Sequence, residues 1–113
     1  MKPPTAAEVA WHLPLRSVAC AVLAALAQGP KIGIDILEAV NTTVPGSPLL
    51  GPGTLYRLLR DLRQEGLIAR AELVGGSTDD RHSPHTLTPL GTAVLEADVA
   101  RLHRTIALAT RRA

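Results

Sequence analysis

Three amphipathic helical stretches, a change of hydrophobic period into a short β-prone pair, and a long final helix predict a mainly α (α+β) fold. The order matches a winged helix-turn-helix with a two-stranded wing and a long C-terminal helix for dimerisation. The 113 residues are the length of one domain, too few for a dinucleotide-binding pair, a barrel enzyme or a kinase. Apolar residues, at 46%, suffice for a core, and 19% charged residues exclude disorder by composition. With one Trp, one Tyr and no Phe, the core is aliphatic, and modules that stack bases on aromatic side chains are excluded.

Thr5 to His12 is read as a short first helix. Pro14 suits the first turn of the next, where a missing N–H costs nothing. Leu15, Val18, Ala19, Val22, Leu23 and Leu26 then recur at helical spacing until Gly29-Pro30 ends the run. A further helix is expected from about Gly33 to Asn41, with Ile36, Leu37 and Val40 on one side. Thr42 to Pro52 holds prolines and glycines and reads as a loop. The next helix has Gly51 as N-cap, Pro52 as first residue, an inner stripe of Leu55, Leu58, Leu59 and Leu62, and Gly66 as its stop.

From Leu67 to Val74 the chain is β-prone, Gly75 to Asp80 is a polar turn, and His85 to Thr88 returns as the second strand. Such a hairpin is stable only when packed on the helices. Thr88-Pro89 then opens a helix running to about Arg111, roughly 35 Å at 1.5 Å per residue. One unit therefore spans 1–113, divided into a winged-helix part over 5–88 and a dimerisation helix over 89–112.

The helix from Pro52 to Gly66 carries the charges that matter. Opposite its leucine stripe lie Arg57, Arg60 and Gln64, with Thr54 and Tyr56 flanking the start and Arg63 more lateral. Arginine suits bidentate contact with phosphates and guanine edges, and the backbone around Gly53 can meet a phosphate. The same pattern also fits a solvated amphipathic face, and net charge, +2, does not decide between the two.

The chain resembles the PadR-like transcriptional regulators. The stretch Leu23 to Ile36 is similar to the family's leucine-rich run, Gly-Pro turn and Gly-Tyr-Glu-Ile signature, with Ile34 in place of the tyrosine. Gly51-Pro52-Gly53-Thr54-Leu55-Tyr56 resembles its Ser-Pro-Gly-Thr-Leu-Tyr segment. Glu65-Gly66-Leu67-Ile68 and Leu87-Thr88-Pro89-Leu90-Gly91 resemble its Gly-Leu-Ile and Leu-Thr-x-x-Gly elements. The resemblance, covering roughly Leu15 to Leu102, implies double-stranded DNA as partner. In the wing it leaves only Arg81 and His82 as phosphate contacts, because Asp79-Asp80 lowers the charge there and Pro84 implies an edge or bulge.

Along the last helix Leu95, Val99, Leu102, Ile106 and Ala109 recur at coiled-coil spacing, whereas Leu90 and Val94 face the domain's own core. A homodimer through this seam is expected, and the resemblance implies the same. It also implies a small aromatic or drug-like effector at the dimer interface. Trp11 is the candidate to stack on such a planar ligand, or to anchor the dimer.

His82-x-x-His85 with Asp79 and Asp80 is loosely spaced and reads as a solvated wing, so neither a metal nor a cofactor is expected. No nucleophile motif or phosphate loop is present, so no enzyme is expected. Cys20 reads as a small buried thiol. Without a signal-peptide core or an apolar run near the roughly 20 residues of a membrane span, the expected location is the cytoplasm. The reading is a DNA-binding regulator, expected to repress. The alternative is a winged-helix protein-interaction module without sequence-specific DNA binding.

Overall fold

A computed structural model describes residues 2–43, 50–71 and 82–111. The element order is α1 (Ala6–Trp11), α2 (Ser17–Leu26), α3 (Gly33–Thr43), α4 (Pro52–Gln64), β1 (Ile68–Arg70), β2 (His85–Leu87) and α5 (Pro89–Thr110). The predicted fold is observed: helices around an aliphatic core, a two-stranded antiparallel sheet, and a long last helix.

Each helix boundary has a local cause. In α1, Thr5 and Glu8 close a reciprocal capping box. Helix α2 begins at Ser17, three residues after Pro14, so Pro14 does not occupy its first turn. The Leu15 amide of this linker donates to Asp98 Oδ1 of α5 at 3.3 Å, which ties the linker to the far end of the chain.

Helix α3 runs to Thr43, two residues beyond Asn41. Asn41 then bonds Leu50 in both directions, its Nδ2 donating to the Leu50 carbonyl at 3.0 Å and its Oδ1 accepting the Leu50 amide at 3.1 Å. This bracket sets the approach of α4 to α3. Helix α4 starts at Pro52 behind Gly51, as expected. It ends in a Schellman motif: Gly66 adopts φ 78°, its amide reaches the Arg63 carbonyl, and the Leu67 amide reaches the Leu62 carbonyl.

The two strands pair Ile68 with Leu87, Ala69 with Thr86 and Arg70 with His85. Lys31, between α2 and α3, adds a bridge to His85 through two backbone bonds of 3.1 and 2.8 Å. The base of the wing is thereby sewn to the helical layer. The expected turn at Gly75 to Asp80 lies outside the described residues.

Thr88 caps α5 by accepting the Gly91 amide at 3.0 Å, and its hydroxyl donates to the Gly66 carbonyl at 2.6 Å. Leu23, Ile36, Val40, Leu55, Leu59, Leu62, Leu67 and Val94 form the centre of the core. At roughly 1.5–3 kcal/mol per buried aliphatic side chain, this cluster is the main source of stability. Only the first half of α5 joins it; from Leu102 to Arg111 the helix is exposed along its length.

Candidate nucleic-acid interface

Helix α4 presents two chemically opposite faces. Leu55, Leu58, Leu59 and Leu62 are buried, while Thr54, Arg57, Arg60 and Gln64 are exposed on the far side. Leucine at spacings of three and four fixes which way the arginines point. Gly51 and Gly53 are also exposed, and a Cβ at either would meet open space. Nothing inside the protomer therefore demands a glycine at these two positions.

Two of the expected contacts are drawn inward. Tyr56 is half-buried against the core. Arg63 is half-buried as well, and its Nη1 lies 2.8 Å from Nε2 of His85, a residue with no exposed surface. Because a guanidinium can only donate, His85 Nε2 accepts and is unprotonated in this arrangement. Arg63 thus ties the end of α4 to β2, a role that the sequence offered no spacing to reveal. In the wing His82 is exposed, and Arg81 lies outside the described residues.

A second buried polar group is Asp98 of α5, which like His85 has no exposed surface. Its Oδ1 accepts from Leu15 and, at 2.9 Å, from Arg101 Nε. Burial opposes its charged form. Hydrogen bonds from Arg101, Leu15 and the Cys20 thiol prevail and hold the carboxyl below its ordinary range. Burial, reinforced by the facing Asp98 carboxylate, pushes the Cys20 thiol up. This cluster joins the α1–α2 linker, α2 and α5.

The expected dimer residues divide. Leu95 is 7% exposed and belongs to the protomer's own core, so little of it is left for a partner. Val99, Leu102, Ile106 and Ala109 are exposed on the outer part of α5. Trp11 is 85% exposed on α1.

Helix α4 on a three-helix support, the hairpin after it and the extended α5 define a winged helix-turn-helix protein. The model of the transcriptional regulator PadR-like family matches residues 22–97, more than half of the chain. The chain belongs to that family of transcriptional regulators, which are non-enzymatic DNA-binding proteins.

Solved structures agree on the fold. RosR of H. salinarum, in its hsRosR-S4 complex, superimposes with a TM-score of 0.67 at 23% identity, over 94% of this chain and 84% of that one. A PadR family regulator from Clostridium difficile R20291 does so with a TM-score of 0.64 at 21% identity, over 81% and 95%. BpsR of Bordetella bronchiseptica, whose DNA binding is regulated by 6-hydroxynicotinic acid, gives a TM-score of 0.63 at 24% identity, over 88% and 66%. No curated protein matches the sequence.

Proposed function

We propose that the protein is a homodimeric repressor that reads its operator with α4. The observation that carries this reading is the outer face of that helix, where Thr54, Arg57, Arg60 and Gln64 stand in solvent. Gly51 and Gly53 at its start leave room for a DNA backbone to come close to the chain. Arg60 and Gln64 carry the donors for base edges in the major groove, Arg57 can reach a base edge or a phosphate, and Thr54 and Gly53 can meet a phosphate. Tyr56 and Arg63 border this face; His82, with Arg81, supplies backbone contacts from the wing. Occupancy of an operator is by itself enough to block transcription, which makes repression the simplest output. The working compartment is then the cytoplasm, and among the described residues no helix is long and apolar enough to cross a membrane.

The second half of α5 supports a dimer. It extends from the body with Val99, Leu102, Ile106 and Ala109 in solvent, an apolar seam that a second copy would cover. In this reading 5–88 form the DNA-binding unit and α5 is the dimerisation helix; residue 112, the expected end of that segment, lies outside the described residues. Two copies place two α4 helices about 34 Å apart, the repeat of one DNA turn. Exposed Trp11 sits beside this seam's parent helix and serves as dimer anchor and as a stacking surface for a small planar effector. An effector that alters the spacing of the two α4 helices shifts operator affinity by its differential affinity for the two arrangements. The regulation described for BpsR is a precedent on the same fold.

The deciding experiment measures binding of the purified protein to the DNA upstream of its own gene, against a scrambled competitor, at two salt concentrations. Specific binding that weakens with salt is expected. Equal binding to both DNAs, or none, would overturn the reading in favour of a protein-interaction module.

A further inference from the structure

A cleft runs between the start of α2 and α4. Val18, Ala19 and Leu58 form its floor, while exposed Arg16, Arg57 and Thr54 line its open edge. The two arginines come from elements far apart in sequence, and among the described residues neither is in an ion pair. Asp61 also lines the cleft, one turn along α4 from Arg57 and two from Thr54, so the acidic group lies at the end away from the start of α4.

Arg16 is the wrong residue for its position on grounds of folding alone. It is the N-cap of α2, where Ser, Thr, Asp or Asn is preferred, and its side chain makes no capping bond. A cation at a helix start opposes the helix dipole, and the first turn of α2 has no acidic residue to offset it. Yet its backbone is firmly held. The preceding amide, Leu15, is bound to Asp98, and the Arg16 carbonyl accepts the Cys20 amide at 2.9 Å. The fold thus fixes the backbone that carries Arg16 at the mouth of a cleft that it shares with Arg57, while on its other side Arg16 borders a second cleft with Asp61 and Glu65.

We infer that Arg16 is a DNA-backbone contact, and that Arg16 and Arg57 grip one phosphate from opposite sides of this cleft while α4 lies in the major groove. An anion there answers both the like charges and the exposed start of α2. The contact extends the interface beyond α4 and the wing onto the α1–α2 linker. It rests on the proposed DNA binding.

The test is Arg16→Gln in the full-length protein, with affinity for the upstream DNA and for scrambled DNA followed against salt. Affinity should fall on both DNAs alike, and the slope of log affinity against log salt should flatten by about 0.9, the loss of one phosphate. Arg16→Lys should restore the slope, because it restores the charge. The melting temperature of Arg16→Gln should not fall, since no capping bond is removed. A slope unchanged in Arg16→Gln, with salt-dependent binding intact in the parent protein, would overturn this contact alone. Protection of the fold by inorganic phosphate through Arg16, without any change in the DNA slope, would overturn it in favour of a small anion. Absence of DNA binding in the parent protein would overturn the regulator reading and this contact together.

Discussion

Gly91 is fixed by close approach: a Cβ there would land on the Leu67 carbonyl. Helix α5 can cross the start of β1 only because this position has no side chain, which gives a steric reason for the glycine in Leu-Thr-x-x-Gly. Gly91→Ala should cost about 1–3 kcal/mol, as overpacking against backbone does, read as a lower urea midpoint. Asp98 makes a pH-dependent contribution. Its carboxyl is held below the ordinary range, so the stability it adds is present above that range and fades as pH falls through the folded value. Arg101→Ala removes a donor, and the acid-side loss should then begin at higher pH. The cost near neutrality should be about 1–2 kcal/mol, since Arg101 is partly in water and the buried carboxylate keeps its other donors. Urea titrations across the acid range check both points. Burial, reinforced by the same carboxylate, pushes the Cys20 thiol up. Cys20 should therefore react slowly with a disulfide reagent near neutral pH, and Asp98→Asn should speed it.

At the scale of elements, what could be read in advance was what depends on neighbours in sequence. The caps and stops of α4, its leucine stripe and the Thr88-Pro89 start of α5 are set within a turn or two, and they lie where spacing places them. The start of α2 is different. Pro14 is a sound first-turn residue in isolation, but the helix starts three residues later, and the Leu15 amide of the linker is bonded to a carboxylate 83 residues away. Two other side chains are likewise held by partners distant in sequence: the lateral Arg63 bonds His85 of β2, and Leu95 of the seam packs in the core. Arg16 lies outside every periodic stripe, so spacing carries no signal for it. The exposed face of α4 was legible, and it makes a clean prediction. Arg60→Ala should weaken operator binding by about 1–3 kcal/mol if Arg60 reads a base, with the oligomeric state unchanged in sedimentation. Unaltered DNA affinity would mean that α4 is oriented differently on DNA.

For the whole molecule the question is what the outer half of α5 is for. The helix has 22 residues, about 33 Å of length, and the body uses only its first half. Ile106, 58% exposed, stands in the middle of the uncovered seam. If the proposed dimer forms through this seam, Ile106→Glu should leave the protein monomeric at micromolar concentrations where the parent is dimeric, as sedimentation equilibrium would show, and should weaken DNA binding by removing the second half-site contact. Unfolding of each protomer's core should change little, because Ile106 is not part of it.

The bond from Leu15 to Asp98 turns one backbone amide into a reporter. Leu15 lies in the linker between α1 and α2, yet its proton is held by a fully buried side chain of α5. Deuterium can replace that proton only when α5 lifts from the linker, so its exchange rate reads the free energy of that separation. Should DNA or a small molecule tighten or loosen α5 against the body, Leu15 would register it as slower or faster exchange, next door to Arg16.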